Sequence, residues 1–184
     1  MTSEINVCYK IDANDRISFV DEGWCRFAEE NNGPELMPPS ILGKSLWSHI
    51  ADITTVNLYK QIVSRVRQGA CSRFTLRCDG PDCKRLLEMT IDADPDGSVT
   101  FHTRPVSVED RESLALLAAG SPRSREILRA CSWCARIDTG DGEWVEVEEA
   151  TKRLRLFELE SLPQLTHGIC GSCYAEVKAK AATG

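Results

Sequence analysis

The sequence predicts an α+β protein: an antiparallel sheet interrupted by a helical middle, a helical linker, and a small zinc-stapled module at the C-terminal end. Three observations carry this. Between residues 4 and 104, segments alternating apolar and polar side chains bracket a stretch with helical spacing. Further on stand two Cys-x-x-Cys pairs, Cys131-Ser132-Trp133-Cys134 and Cys170-Gly171-Ser172-Cys173. Finally, 184 residues at 42% hydrophobic and 27% charged suffice for one core plus a satellite unit, which excludes collagenous, low-complexity and wholly disordered chains.

Each element has its own signal. Ile5, Val7, Tyr9 and Ile11 alternate, Asp12-Ala13-Asn14-Asp15 turns, and Ile17 to Val20 returns as a hairpin. Asp21 caps a short helix with Trp24, Phe27 and Ala28 on one face, read as core anchors, and Asn32-Gly33 ends it before the Pro-rich loop Pro34 to Pro39. Val56, Tyr59, Ile62, Val63 and Val66 form the stripe of a second helix, with Thr54 or Thr55 as cap and Gly69 as stop. Phe74/Leu76/Cys78, Leu87/Met89/Ile91 and Val99/Phe101 alternate as three strands joined by the turns Asp79 to Asp82 and Asp94 to Gly97.

Two strands, a helical middle and three meandering strands follow the order of a PAS domain. Tyr9-Lys10-Ile11-Asp12, Phe19-Val20-Asp21-Glu22-Gly23-Trp24, Gly43-Lys44-Ser45-Leu46-Trp47 and Arg77-Cys78-Asp79-Gly80-Pro81 resemble the sensor-type PAS family over about 100 residues. Trp24-Cys25-Arg26-Phe27 shares Cys-Arg-Phe with the flavin-reactive motif of LOV domains. It has Trp before the Cys and comes directly after the first hairpin, so helix-face packing explains it without a chromophore.

Beyond residue 105 the spacing predicts a helix over Val108 to Ala119, a break at Gly120-Ser121-Pro122, and another helix running to Ala130. The chain therefore divides into a PAS-like domain (1–105), a helical linker (106–130) and a four-cysteine zinc-binding module (131–184). The longest apolar run, Leu114 to Ala119, is too short to span a bilayer, and Met1 to Lys10 has no leader-like apolar stretch, which predicts a cytoplasmic protein without membrane contact. A net charge of −6 disfavours polyanionic partners.

Nine cysteines, an odd number, argue against a disulfide framework. Cys131, Cys134, Cys170 and Cys173 are the expected metal ligands. Each Cys-x-x-Cys pair brings two thiolates together, four sulfurs suit tetrahedral zinc, and a filled sphere leaves no place for an activated water. The 35 residues between Cys134 and Cys170 cost little more in loop closure than a usual ribbon spacing. With few large apolar side chains in its 54 residues, the module is of a size that commonly needs a staple. Gly171 eases the second turn. His167 is either an alternative ligand or a polar neighbour of the centre. The run Cys131 to Cys134, Trp144, Thr166-His167-Gly168-Ile169-Cys170 and Cys173 resembles a small Cys-rich module C-terminal to PAS and receiver domains in bacterial signalling proteins. That resemblance implies a bacterial regulatory protein.

Other candidates are weaker. Cys78 and Cys83 flank a turn and are either ordinary strand thiols or a close pair, while Cys8, Cys25 and Cys71 read as small core residues. His49 reads as a surface or capping residue rather than a haem ligand, and His102 as outward-facing. No nucleophile elbow, Walker loop, kinase or cyclase signature is present, so no enzyme activity is expected. The expected function is sensory and regulatory: a PAS-like domain senses a small ligand or a partner and is coupled to a zinc module that contacts a signalling protein, with homodimerisation implied by the PAS resemblance. The alternatives are a thiol redox switch that releases zinc when the Cys-x-x-Cys pairs oxidise, and a DNA-binding regulator using Arg123, Arg125, Arg129 and Arg136.

Overall fold

The computed structural model describes residues 6–31, 33–118 and 120–183. Its first layer is a five-stranded antiparallel sheet of β1 (Val7–Ile11), β2 (Ile17–Val20), β3 (Ser72–Arg77), β4 (Cys83–Ala93) and β5 (Val99–Asp110), in the order β2-β1-β5-β4-β3. Helices α1 (Glu22–Glu30) and α2 (Ile53–Val66) fall between the hairpin and the meander, an arrangement compatible with the PAS-like expectation. Ile5 and Asn32 lie outside the described residues.

The caps show how local chemistry sets these helices. Asp21 accepts from the Trp24 amide at 2.8 Å and also from the Cys8 amide at 2.9 Å, so one carboxylate starts α1 and fastens it to β1. Gly23 is required there, because a Cβ would stand 1.8 Å from the Asn6 carbonyl oxygen. For α2 the cap is Asp52, which accepts from both the amide and the hydroxyl of Thr55; the carboxylate outcompetes the threonines the sequence suggested. Gly69 follows at φ +97°, the left-handed stop expected of it.

The segment read as a helical linker is extended instead. Val108 to Asp110 belong to β5 because β4 is longer than its apolar alternation showed: Arg85 pairs with Val108 and Cys83 with Asp110. Of the apolar run only Ala115–Leu117 forms a short 3-10 turn, and Ala119 lies outside the described residues. Arg123–Cys131 is a strand, β6. Its partner β9 (Leu162–Gly168) runs parallel to it, so its alternation is satisfied by residues about 40 positions away. With β7 (Ile137–Asp138) and β8 (Trp144–Val145) they make a second sheet, β8-β7-β6-β9, covered by α3 (Val147–Arg153). Leu116, Ile137, Val147, Ala150 and Leu156 form its own small core. The chain ends in α4 (Gly171–Thr183).

A charge network ties the two sheets together where the sequence showed only a turn. Asp79, with a side chain 2% exposed, pairs with Arg77 and with Arg111, itself 6% exposed. Arg77 reaches Glu146 at 2.6 Å, Arg111 reaches Glu148 at 3.3 Å, and Lys84 reaches Glu148 at 2.9 Å. Burial pushes the Glu148 carboxyl up, but Lys84, a backbone amide and Arg111 outweigh it and hold it at about 2. Because its folded-state value is depressed, its contribution is present above the ordinary carboxylate range and is lost as pH falls toward about 2. Replacing Asp79 by Ala takes the shared carboxylate from two guanidinium groups and leaves Arg77 with Glu146 and Arg111 with Glu148; we expect a loss of about 1–3 kcal/mol in urea unfolding. The wild-type urea midpoint should fall on acidification from about pH 4.5 downward.

Candidate metal centre and adjoining cavity

The ends of β6 and β9 are adjacent because the strands are parallel, and both Cys-x-x-Cys pairs lie at those ends. Cys131 closes β6, and the chain then turns back, with the Ala135 amide bonding to the Cys131 carbonyl at 3.0 Å and Ala135 left-handed at φ +58°. Cys170 follows β9 and precedes α4, so its sulfur accepts from the Cys173 amide at 3.5 Å in the manner of a helix cap. Gly171 is the first residue of α4 and not a left-handed turn residue, so Cys170 and the helix start make the second bend, not glycine freedom.

These turns bring all four sulfurs within 4.8 Å of one another, with Cys134 Sγ and Cys170 Sγ 3.8 Å apart and none in a disulfide. Four sulfurs about 2.3 Å from one tetrahedral ion stand about 3.8 Å apart, so the geometry fits a bound metal. Cys131 Sγ accepts from the amides of Trp133 and Cys170, each at 3.4 Å. The Cys134 thiol and those amides, working against burial, hold the Cys131 thiol far down, at about 4. The same Cys131–Cys134 hydrogen bond, together with burial, pushes Cys134 up, and burial followed by its bond to Cys170 takes Cys173 to about 12. His167, exposed on β9, lies outside the set of four.

Trp133, between the first two cysteines, is 5% exposed and enters the core of the first sheet. Its ring packs 5.2 Å from Tyr59 of α2 and 5.5 Å from Phe74 of β3, while its carbonyl accepts from the Arg77 amide at 2.8 Å. Cys131, Trp133, Cys170 and Val177 thus share one buried cluster with Phe74, Met89 and Phe101.

An apolar cavity of about 210 Å³ lies on the helix-covered face of the first sheet. Trp24, Phe27 and Ala28 of α1 form one wall, so the first two are cavity walls more than core anchors; Leu76, Leu87 and Met89 form another. Met89 Sδ also receives the Tyr59 hydroxyl at 3.8 Å. One side chain therefore separates the cavity wall from the Trp133 ring.

The remaining candidates are scattered. His49 and His102 are exposed, as expected. Cys83 is buried and Cys78 half-buried on the cavity wall, both as free thiols. Cys71 is exposed and Cys8 and Cys25 only half-buried, so these three are not core residues; Cys71 directly precedes edge strand β3. Of the arginines of the basic stretch, Arg123 and Arg129 lie on strand β6 rather than a helix and Arg136 follows it: Arg123 donates to the carbonyls of Leu116, Ala118 and Pro163, Arg129 pairs with Asp138, and Arg136 with Glu146. No helix among the described residues is long and apolar enough to cross a membrane.

Comparison with protein families and with curated proteins gives no match. Among solved structures, a domain of an HTR-like protein from Haloarcula marismortui is similar at a TM-score of 0.40 and 13% identity, covering 55% of this chain and 98% of that one.

Burial and the neighbouring sulfurs raise the Cys134 and Cys173 thiols, and a thiol must lose its proton to ligate a metal, so metal uptake is expected to release protons from at least these two. Competition with a chromophoric chelator should show Zn²⁺ affinity falling at least about 100-fold per unit of acidification, and an affinity independent of pH would contradict the four-thiolate site.

Proposed function

We propose that this chain is a non-catalytic sensory module in which the cavity of a PAS-like domain is read out through a structural zinc centre that contacts a signalling partner. The observation carrying this is the position of Trp133. It belongs to the first Cys-x-x-Cys turn, yet its side chain is part of the aromatic layer that Met89 joins to the cavity. Zinc is the ion that four thiolates in tetrahedral array favour, and four sulfurs complete its coordination. An occupant pressing on Met89 or Leu76 changes the packing of Tyr59 and Phe74, and these are what Trp133 rests on. Close-packed side chains pass such a change on because they have no slack to absorb it.

Filling the cavity from within tests this without knowledge of any ligand. Ala28→Leu and Leu87→Phe should each slow amide exchange several-fold at residues 131–134 and 170–177, with one zinc per chain retained in native mass spectrometry. If thermal stability changes while exchange at the cysteine turns does not, the cavity and the centre are uncoupled and the sensory reading fails.

A further inference from the structure

The cavity wall contains a guanidinium that forms no ion pair among the described residues, with its Nη2 turned toward Gly80 in the turn that carries Asp82. On β4 the side chains of Arg85, Leu87, Met89 and Ile91 alternate onto one face; Ile91 is fully buried and Met89 nearly so, and Arg85 lines the cavity at the end of that stripe. A bulge helps to shape this end. Leu86 pairs with Ser107 but Leu87 with Pro105, so Val106 is the extra residue, and the shifted parity turns Val108 onto the cavity face beside Arg85.

Arg85 is half-buried, and its Nε donates to the Cys78 carbonyl at 2.9 Å, which fixes the plane of the guanidinium. Among the described residues it forms no ion pair. Several cations of these strands and the segment after them are matched: Lys84 to Glu148, Arg104 to Glu88, and Arg77 and Arg111 to Asp79. An unpaired guanidinium beside apolar walls is a costly arrangement that a bound anion relieves, and its two terminal nitrogens match the two oxygens of a carboxylate.

Size completes the description. An apolar cavity of about 150 Å³ accepts a benzene ring, so about 210 Å³ takes one ring with a small substituent, lined here by Trp24 and Phe27. Building on the sensory reading of this cavity, we infer that its ligand is a compact monocarboxylic acid, about one aromatic ring in size, whose carboxylate is held by Arg85.

The test is calorimetric titration of the full chain with benzoate and 4-methylbenzoate against the neutral amides of the same shape. The acids should bind saturably and about ten- to a hundredfold more tightly than the amides, the range expected of a charge-assisted hydrogen-bond pair. Arg85→Gln should lower acid affinity to that of the amide while leaving amide affinity unchanged, and Arg85→Lys should keep a preference for the acid; circular dichroism and zinc content verify that both variants fold. Equal binding of acid and amide, unchanged acid binding by Arg85→Gln, or no binding of any of these probes at millimolar concentration overturns the assignment. Failure here with success of the cavity-filling variants removes only the ligand class, whereas failure of those variants removes the sensory reading itself.

Discussion

The structure depends on the closure of four sulfurs at the ends of two parallel strands. β6 and β9 are joined by a connection that includes β7, β8 and α3, and parallel strands hold each other less firmly per residue than antiparallel ones. A metal held by Cys131, Cys134, Cys170 and Cys173 would pin their ends together and fix the start of α4. Zinc binding at such sites contributes on the order of 10 kcal/mol, comparable to the whole stability of a small domain.

The same closure orients Trp133, whose indole leaves the second sheet and fills space in the first. Among the described residues its Nε1 is buried without a hydrogen-bond partner, a cost of about 1–3 kcal/mol. Packing against Tyr59 and Phe74 offsets that cost, since removing a buried tryptophan typically loses about 3–5 kcal/mol. A side chain kept where its polar atom is unsatisfied is one whose ring matters to the packing, and this ring is an apolar bridge between the cysteine turns and the α2–β3 layer.

A second bridge is ionic and sits at the β3–β4 turn. Asp79 gathers Arg77 and Arg111, and Glu146 and Glu148 at the start of α3 complete the set. Apolar packing resists separation of the sheets without specifying direction, whereas paired charges at low exposure penalise any displacement that leaves one of them alone. Together the two bridges make the second sheet follow the first.

Much of the first sheet was legible locally: alternation at Val7 to Ile11 and Leu87 to Ile91, the Asp21 cap and the Gly69 stop all act within a few residues of where they are read. The four cysteines that come together were legible too, because Cys-x-x-Cys brings two sulfurs together through a single turn of backbone. The stretch from Val106 to Ala130 was not. Leu114 to Leu117 and Arg123 to Arg129 have residues that suit a helix, and only pairing with β4 on one side and with β9, distant in sequence, on the other makes β5 long and β6 a strand. Trp133 in the first core, the charge on Asp79 and the isolation of Arg85 were likewise unreadable, since each is defined by which distant residues are or are not within reach. Short-range hydrogen bonding and chelation, in short, are written into neighbouring residues, whereas parallel pairing, shared burial and unmatched charge exist only once remote segments have met.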